Sequence, residues 1–552
     1  MEWTSRRGTR LAVALLLPLS LFAQGAGSDW STYGGDLGAW RYSLLDQINT
    51  SNVSQLVPVW AFQTGDYANG LQSTPIVVDG VVYLSTSSNQ VFAIDGARGE
   101  LIWKYAYAPL LGVAATDRSR GVAFGHGLIF MGTDDSYLLA LDQETGEEVW
   151  RVAVQDSDQC GCSITAAPLV VKDKVVVGGN GGDRAYRGSL SAFDAKTGRF
   201  AWRFFVTAGP DDPGHDTWSG DSWRLGGGAP WMTGSFDPEL DLLYWGTGNA
   251  AADFDGEPRK GDNLYTASVV ALNPDTGKLV WHYQTVPHDV WDFDSAYECI
   301  LADLPVKGRM RKLLLHPAKA GYTWALDRIT GEFVGAWPIV DEINWVSGIT
   351  EDGKLVGRRE PKLGEATYVC PSVMGAKSWN QGAFSPRTGW LYLPAAEMCN
   401  ELYVRKQAPV EGKGNMAGFW RLKRPEGREN YSSVTAFDPV TGEKKWEHPY
   451  PYILLASILT TAGDLVFSGD PEGRFFALDA RTGERLWSFQ TGSGHRGSAV
   501  SYEIDGRQYI ATPSGYGSIA GPIMSMFDDY LERDGSRSGG TLFVFALPES
   551  AR

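Results

Sequence analysis

One phrase, Ala-x-Asp-x-x-Thr-Gly-x-x-x-Trp, recurs along the chain and constrains its fold more than any other feature. The copies read AIDGARGELIW (93–103), ALDQETGEEVW (140–150), AFDAKTGRFAW (192–202), ALNPDTGKLVW (271–281), AFDPVTGEKKW (436–446) and ALDARTGERLW (477–487), and a looser copy, ALDRITGEFVGAW, ends at Trp337. Each copy predicts a strand, a tight turn and a second strand, because aspartate can bond the backbone that follows it and glycine can adopt a positive φ.

The spacing of the copies predicts a β-propeller. Adjacent copies lie about 40–50 residues apart, which is the length of a four-stranded blade. Two gaps of about twice that length, from Trp202 to Trp281 and from Trp337 to Trp446, leave room for unmarked blades or for functional insertions. We therefore predict an all-β, eight-bladed propeller in which each repeat tryptophan docks between blades. Residues 26–552 are predicted to form this single domain.

The N-terminus predicts export from the cytoplasm. A basic start with Arg6, Arg7 and Arg10 precedes an apolar run from Leu11 to Ala23. Because this run is shorter than the roughly 20 residues that span a bilayer, residues 1–25 are predicted to be a signal peptide and not an anchor. The arginine pair is compatible with twin-arginine export and with a generic signal. No later segment is apolar for long enough to span a membrane, so we expect a periplasmic protein without membrane insertion.

Net charge and cysteine content restrict the possible partners and cofactors. The net charge of −16 excludes nucleic acid as a partner, because its phosphates would repel such a surface. Exported cysteines meet an oxidising compartment, so disulfides are expected, with Cys370–Cys399 as the first predicted pair and Cys160–Cys162 as the second. No second Cys/His cluster has zinc-ligand spacing, and no CxxCH motif predicts covalent haem.

Three segments depart from the repeat and concentrate polar groups. GGNGGDRAYRG carries Asp183, WGTGN ends in Asn249, and HDVWDFDSAY carries Asp292 and Asp294. Each of the first two, taken alone, is more typical of a surface turn. Together they offer oxygen ligands at strand ends that a ring of blades could gather around a hard cation. Such a cation would turn the repulsion between Asp292 and Asp294 into shared coordination.

Several longer stretches resemble the alcohol dehydrogenases that depend on pyrroloquinoline quinone (PQQ). They read DWSTYGGDLGAWRYSLLDQINTSNVSQLVPVWAFQTGD, STPIVVDGVVYLST, FDPELDLLYWGTGN, GDNLYTASVVALNPDTGKLVWHYQTVPHDVWDFD and TAGDLVFSGDPEGRFFALDARTGERLWSFQTGSG. The similarity covers nearly the whole mature chain. It implies an eight-bladed propeller that holds PQQ and one metal ion in a central funnel.

The resemblance also implies a role for individual residues. Asp292 falls on the catalytic base, Asn249 on a metal-ligating asparagine, and Asp183 on a metal-ligating position that is usually glutamate. Lys319 falls on the cation that bonds the reactive quinone carbonyl. The base would remove the alcohol proton while hydride moves to the metal-polarised quinone. The implied cofactor contacts are Arg120 in DRSRGVAFG, Thr165 in SITAAP, Trp231 in GGAPWMTGSFDP and Asn380 in SWNQGAFSP.

The chain departs from the family pattern near the quinone. Two adjacent cysteines of many members correspond to Ala114 and Ala115, and a frequent tryptophan corresponds to Leu455. Both changes remove bulk, so we predict a roomier pocket and a substrate larger than methanol. Gln72 stands where glutamate is usual, which removes one charge near the cofactor edge.

The identity of the metal depends on Asp294. In this family, calcium enzymes commonly lack an acid two residues after the base, and lanthanide enzymes carry one. A trivalent ion favours one more carboxylate, so a lanthanide is the preferred prediction. Asp183 is one methylene shorter than the usual glutamate, so Asp294 could instead compensate for a more distant ligand around calcium.

The predicted function is oxidation of an alcohol to an aldehyde or ketone by a periplasmic quinoprotein. Without a CxxCH motif the enzyme would pass its electrons to a separate acceptor such as a soluble cytochrome c, and it could form a homodimer. Two alternatives remain open. One is a sugar or polyol dehydrogenase that uses the same quinone. The other is a non-catalytic propeller scaffold for outer-membrane protein assembly, since docked tryptophans alone require no chemistry.

Overall fold

The computed structural model describes residues 25–67, 69–109, 118–517, 523, 525–527 and 538–549. The elements in these residues are mostly β-strands, as predicted. The strands are β1 (Tyr42–Ser43), β2 (Val57–Gln63), β3 (Ile76–Val78), β4 (Val81–Thr86), β5 (Gln90–Asp95), β6 (Leu101–Ala106), β7 (Ala123–Gly125), β8 (Leu128–Gly132), β9 (Tyr137–Asp142), β10 (Glu148–Ala153), β11 (Leu169–Val171), β12 (Lys174–Gly178), β13 (Ser189–Asp194), β14 (Phe200–Phe205), β15 (Ser235–Asp237), β16 (Leu242–Gly246), β17 (Ser268–Leu272), β18 (Leu279–Gln284), β19 (Ile300–Val306), β20 (Arg309–Pro317), β21 (Tyr322–Asp327), β22 (Phe333–Pro338), β23 (Gly348–Ile349), β24 (Leu355–Val356), β25 (Ala366–Val369), β26 (Ala383–Ser385), β27 (Trp390–Ala396), β28 (Cys399–Val404), β29 (Gly418–Lys423), β30 (Ser432–Phe437), β31 (Lys444–Tyr450), β32 (Leu459–Thr461), β33 (Leu465–Gly469), β34 (Arg474–Asp479), β35 (Arg485–Gln490), β36 (Val500–Ile504), β37 (Arg507–Ser514) and β38 (Thr541–Ala546).

In the part of the chain that the structure describes, helical segments are short. The α-helix α1 spans Ser157–Cys160. The 3₁₀ turns of the described residues are Val53–Gln55, His215–Thr217, Ser222–Leu225, Glu257–Arg259 and Ser525–Phe527. No helix in these ranges is long and apolar enough to cross a membrane.

The strands assemble into successive antiparallel sheets. Within the described residues there are seven four-stranded sheets and one five-stranded sheet. In six of the eight sheets the strands follow chain order, in one of these with an insertion. A seventh adds β1 to β32–β35, and the last pairs the N-terminal β2 with the C-terminal strands. The strand orders are β3-β4-β5-β6, β7-β8-β9-β10, β11-β12-β13-β14, β15-β16-β17-β18, β19-β20-β21-β22, β26-β27-β30-β31, β1-β32-β33-β34-β35 and β2-β38-β37-β36.

The repeat phrase forms the turn that its residues predict. In the second copy, Asp142 Oδ1 accepts hydrogen bonds from the backbone N–H groups of Glu144 (3.0 Å) and Thr145 (2.9 Å). Gly146, which ends the turn, has a φ of +72°. Aspartate and glycine therefore fix the hairpin between β9 and β10 in the predicted way.

Every repeat tryptophan except Trp487 docks on the turn of the next repeat and so packs between neighbouring sheets. Trp103 donates its Nε1–H to the Gln143 carbonyl (3.0 Å), and a β-carbon on Gly146 would lie 2.6 Å from its ring. Glycine lacks that carbon, so the indole can pack against the turn. Trp487 donates instead to the carbonyl of Leu56, just before β2 (3.0 Å). The other tryptophan–glycine contacts are Trp60 with Gly99, Trp150 with Gly198, Trp202 with Gly277, Trp281 with Gly331, Trp337 with Gly442 and Trp446 with Gly483.

This docking predicts a large stability effect. Trp281 is buried and donates to the Arg328 carbonyl (3.2 Å). We expect Trp281→Ala to lower the free energy of unfolding by about 3–5 kcal/mol, since it leaves a cavity between two sheets. Chemical denaturation measures the loss. Trp390→Ala is the matched control, because Trp390 is half-buried and touches no repeat turn. Equal losses in both variants would contradict the docking role.

The two long gaps in the repeat contain insertions and no further four-stranded sheet within the described residues. Two 3₁₀ turns lie between β14 and β15. The second gap holds the β23–β24 hairpin and a three-stranded sheet of order β25-β28-β29. Strands β28 and β29 interrupt the sheet of β26, β27, β30 and β31. The sheet without a copy of the phrase is the one that contains β2.

Because neighbouring strands run antiparallel, the connections of every sheet lie alternately at its two ends. The first-to-second and third-to-fourth turns lie together, as in the hydrogen bond from Gly96 N–H to the Gly80 carbonyl (2.9 Å). The loops between the second and third strands, and the links to the next sheet, therefore lie at the opposite end of the strands. All the predicted site residues are in connections of this second kind. The topology thus directs them to one face.

Both predicted disulfides are present, Cys160–Cys162 and Cys370–Cys399, and Cys299 is a buried free thiol. Two sequence predictions lie outside the described residues. They concern nearly all of the signal peptide, whose residues 1–24 are not described, and the pair Ala114 and Ala115.

Candidate active site

The connections at the end of the strands that carries the predicted site residues surround a cavity that opens to solvent, with about 810 Å³ of empty space when the open solvent at its mouth is included. We call it the site cavity. Its lining combines an acidic group, a cationic group and an apolar wall. The acidic group is Asp183, Asp292 and Asp294 with Lys319, the cationic group is Arg118, Arg120 and Arg496, and the apolar wall includes Val373, Met374, Trp379, Met416 and Trp420.

The HDVWDFDSAY segment, between β18 and β19, directs alternate side chains to opposite sides. Trp291 and Phe293 are buried in the core, whereas Asp292 and Asp294 line the site cavity. Asp289 fixes this turn, because its carboxylate accepts the backbone N–H groups of Trp291 (3.0 Å) and Phe293 (2.9 Å). Asp292 has a φ of +63°, a left-handed conformation that aspartate tolerates better than most residues.

Lys319, directly after β20, lies between the two aspartates. Its Nζ is 2.7 Å from Asp294 Oδ2 and 3.1 Å from Asp292 Oδ1. It also donates to the backbone carbonyl of Asp292 (2.9 Å). Burial lowers the pKa of Lys319, but the two carboxylates raise it by more, so its pKa lies well above the ordinary value. Lys319 is therefore a permanent cation beside the predicted base.

The aspartates hold more negative charge than this lysine neutralises. Burial raises the pKa of Asp292 well above its ordinary value, Lys319 opposes the shift, and Asp294 and Asp183 add to it. Asp183 keeps contact with solvent inside the cavity, yet the surrounding protein and then the charge of Asp294 raise its pKa as well. A cation among these carboxylates would relieve the repulsion.

Asn249, in the loop after β16, contributes an unused amide oxygen. Its backbone N–H donates to Asp294 Oδ1 (3.0 Å), and its Nδ2 donates to Asp253 Oδ1 (2.9 Å). Asn249 Oδ1 and Asp253 Oδ2 are both buried without a hydrogen-bond partner. Burial raises the pKa of Asp253 well above its ordinary value, and Asp183 and Asp292 raise it further. Asp253 is therefore a fourth carboxylate beside the acidic group, buried behind the cavity lining, and no sequence motif indicated it.

The segment between β28 and β29 ties two acidic loops together. Asn415 donates its backbone N–H to the Asp183 carbonyl (2.8 Å) and accepts the N–H of Asp253 (3.3 Å). The next residue, Met416, accepts the N–H of Phe254 (3.0 Å). Asn415 Oδ1 is buried and has no hydrogen-bond partner. This insertion therefore positions the acidic group and adds a further unused oxygen.

Three of the predicted metal ligands, Asp183, Asp292 and Asp294, line the site cavity. Asn249 contacts Asp294 without lining the cavity, and the four do not form a compact shell. Among the described residues, three ligand atoms of His, Cys, Asp or Glu lie within 4.8 Å of one another only at Glu342, Cys370 and Cys399. That set is not a metal site, because both cysteines are in a disulfide. The aspartates of the site cavity are more widely spaced, with Lys319 between two of them. Their donor atoms are all oxygens, which fits calcium or a lanthanide better than a softer metal.

The cofactor contacts implied by the resemblance meet around Trp231, which precedes β15. Arg120 Nη1 donates to Thr165 Oγ1 (2.5 Å), and the Arg120 guanidinium lies 4.8 Å from the centre of the Trp231 ring. Trp231 Nε1 in turn donates to Asp294 Oδ1 (3.3 Å). Burial lowers the pKa of Arg120 to about 9. Trp231 therefore touches the acidic and the cationic groups at once.

Asn380 is set back from the site cavity. It is buried, and its Nδ2 donates to the carbonyl of Leu454 (3.2 Å). Neither Asn380 nor the buried Leu455 lines the cavity, whereas the neighbouring Ser378 and Trp379 do. The cofactor contact of Asn380 stays a prediction.

The Cys160–Cys162 disulfide is part of the site's surroundings. Both cysteines pack with Tyr186 and Ala229 in one small buried cluster, and Trp231 packs against it. The disulfide thus supports the indole that joins the two charged groups.

Comparison with known proteins agrees with this fold. The family profile described as "PQQ: Glucose/ethanol/alcohol dehydrogenase, beta-propeller domain" matches residues 30–344 and 451–510. The chain therefore belongs to the PQQ-dependent alcohol dehydrogenase family, and its fold is an all-β propeller, as the sequence resemblance implied.

Individual relatives match over almost the full length. Quinoprotein alcohol dehydrogenase PedH of Pseudomonas putida is 36% identical over 92% of this chain and 89% of its own. The lanthanide-dependent methanol dehydrogenase of Methylorubrum extorquens is 36% identical over 87% of this chain and 86% of its own. The solved structure of a europium-containing methanol dehydrogenase superposes with a TM-score of 0.89 at 34% identity, covering 94% of this chain and 98% of that one.

Proposed function

We propose that this protein is a PQQ-dependent dehydrogenase that oxidises an alcohol to an aldehyde or ketone, with Asp292 as the base. The observation that carries the proposal is the position of Asp292. Its buried carboxylate lines the site cavity beside Lys319, between unused oxygen ligands and the arginines. A scaffold protein would gain nothing from burying so many charges, which is costly without a bound partner.

We also propose that the sheets close into a ring. We propose that residues 26–552 form one domain and that each of the eight larger sheets is one blade. The support is the sequence of tryptophan contacts, which starts at Trp60 on the first repeat turn and returns from Trp487 to Leu56, beside β2. In the last blade, β2 from the N-terminal part of the chain pairs with the sheet of β36–β38 from the C-terminal part.

Two groups of side chains would hold the metal and the quinone. Oxygens of Asp183, Asn249, Asp292 and Asp294 would bind the metal, with Asp253 holding the Asn249 amide. Arg120 and Thr165 would bind a cofactor carboxylate, Trp231 would stack on the quinone plane, and Asn380 would add a further contact. Lys319 would bond the reactive carbonyl. When bound, the quinone supplies the hydride acceptor and the metal supplies positive charge beside it.

The protein's own residues move the proton. Asp292 accepts the hydroxyl proton of the alcohol, which makes the adjacent C–H a hydride donor. Lys319 favours the ionised form of Asp292 and holds its backbone carbonyl, so that the base stays in position. The indoles of Trp379 and Trp420 line the cavity and reduce the access of water.

The apolar wall favours an alcohol larger than methanol over a sugar. The side chains of Val373, Met374 and Met416 have no hydrogen-bond donor for a polyol, and together with the Trp420 ring they would bury alkyl or aryl groups. Each buried methylene contributes about 0.8 kcal/mol, which is about a fourfold gain in affinity.

We therefore expect kcat/KM to rise by at least about tenfold from methanol to 1-butanol and benzyl alcohol, with sugars far below. Dye reduction by the protein reconstituted with PQQ and metal measures this series. Trp420→Ala should reduce the preference for the bulky alcohols and leave methanol almost unchanged. A preference for methanol would contradict the larger substrate, and a preference for glucose would favour the sugar dehydrogenase.

We also propose that the protein acts in the periplasm and gives its electrons to a separate acceptor such as a soluble cytochrome c. The basic and apolar N-terminal sequence and the two disulfides support export. A lanthanide is the proposed metal, with calcium as the alternative. Whether the protein forms a homodimer stays a prediction.

A further inference from the structure

Arg496 is a buried cation of the site cavity with unused hydrogen-bond donors. It lies between β35 and β36, is 1% exposed, and donates Nη1 to the carbonyl of Gly517 (2.7 Å). Its Nε and Nη2 are buried and have no hydrogen-bond partner. Native structures rarely leave buried charged donors unpaired, because their desolvation costs several kcal/mol. An anionic partner is therefore expected at this position.

The two unused nitrogens define the chemistry of that partner. Nε and Nη2 form one edge of the planar guanidinium, which matches the two oxygens of a carboxylate. The Arg496 guanidinium also lies 5.6 Å from the ring centre of Trp379, and both residues line the site cavity. This stacking restricts the plane of the guanidinium and so prepares the edge for a planar anion.

The surrounding charges also favour an anion. Arg118 and Arg120 line the same cavity. Burial lowers the pKa of Arg496 to about 10, Tyr516 opposes this shift, and the charge of Arg118 adds to it. Gln72, at the position where the family usually has glutamate, is neutral and lines the cavity too. Arg120 has an assigned carboxylate, whereas the unused edge of Arg496 has none.

We propose that Arg496 binds a second carboxylate in the site cavity, in addition to the one held by Arg120. This proposal rests on the proposed function. The carboxylate has two possible sources, the tricarboxylate quinone itself or an alcohol substrate that carries an acid group. In either case Arg496 selects its ligand by charge and by the planar two-oxygen geometry.

Arg496→Gln tests the proposal with two pairs of ligands. The first pair is PQQ and its trimethyl ester, whose affinities are measured by absorbance titration with metal present. The second pair is 6-hydroxyhexanoate and its methyl ester, compared by kcat/KM. We expect one acid-to-ester ratio to fall by about 10- to 100-fold in the variant, the usual effect of losing a charge-assisted hydrogen-bond pair. The ligand pair whose ratio falls identifies the source of the carboxylate. Arg496→Lys keeps the charge but not the two-nitrogen edge. Its acid-to-ester ratio should lie between the ratios of the wild-type protein and of Arg496→Gln.

Arg507→Gln is the matched control. Arg507 also has a buried Nε without a partner, donates Nη2 to a carbonyl (Leu547, 3.0 Å) and stacks on an aromatic ring (Tyr509, 5.2 Å), but it does not line the site cavity. Arg507→Gln should therefore leave both acid-to-ester ratios unchanged. Since each ratio is taken within one variant, partial unfolding cancels. Unchanged ratios in Arg496→Gln would overturn the proposal, whereas a wild-type protein that neither binds PQQ nor oxidises alcohols would overturn the proposed function instead.

Discussion

Asp292→Asn is expected to lower kcat/KM for alcohols by about 10³-fold, within the range that a lost general base costs. Asparagine keeps the shape of the side chain but accepts a proton far less readily than a carboxylate. Arg120, Thr165 and Trp231, the residues proposed to hold the quinone, contact one another and not Asp292, so the affinity for PQQ should change by less than about tenfold. Steady-state dye reduction and a quinone titration on the same preparation measure the two effects.

Asp255→Asn is the matched control for this variant. Asp255 and Asp292 are both 8% exposed, but Asp255 does not line the site cavity. Its carboxylate accepts the backbone N–H of Glu257 (3.2 Å) in a loop outside the site. The control should retain activity within about twofold. A base role for Asp292 is refuted if Asp292→Asn turns over alcohols as fast as Asp255→Asn.

Asp294→Asn is expected to weaken lanthanide binding about tenfold more than calcium binding. The Coulomb energy scales with the charge of the ion, so a trivalent ion loses about 1.5 times the free energy that calcium loses. Asparagine is the suitable replacement, because Asp294 Oδ1 already accepts the Asn249 and Trp231 N–H groups and an amide oxygen can keep both bonds. Only Oδ2, beside Lys319, is left for a metal. Isothermal titration with each metal in the presence of PQQ measures the difference.

The double variant Asp183→Glu/Asp294→Asn separates the two metal hypotheses. If Asp294 only compensates for the short side chain of Asp183 around calcium, the longer glutamate should restore calcium binding and activity. If Asp294 serves a trivalent ion, the glutamate should not restore the lanthanide preference. Wild-type protein that is active with calcium alone would contradict the lanthanide assignment.

The repeat phrase made most of the fold predictable. Its aspartate and glycine act through bonds within a few residues, and its tryptophan meets the same turn one sheet later, as Trp103 meets Gly146. Local chemistry repeated at a fixed period therefore predicts the contacts between sheets. The resemblance added roles for Asp183, Asn249, Asp292 and Lys319, and the topology brings all four to one face.

Other site residues could not be predicted, because their roles depend on contacts far along the chain. Asp253 reads as one more acid in a polar loop until its bond to Asn249 is seen. Asn415 joins the loops of Asp183 and Asp253 from an insertion that carries no copy of the repeat. Arg496 reads as a surface charge, although it is fully buried. A four-residue spacing from Asn249 to Asp253 was the one local signal available.

We propose that one cavity holds the quinone and the metal side by side. Equilibrium titration of the metal-free protein with PQQ, repeated at a saturating concentration of a light lanthanide, tests it most directly. We predict one quinone per chain in both cases, with at least about tenfold tighter binding when the metal is present, because two ligands in contact stabilise each other's binding. Equal affinity with and without metal, or no binding of PQQ at all, would contradict the account.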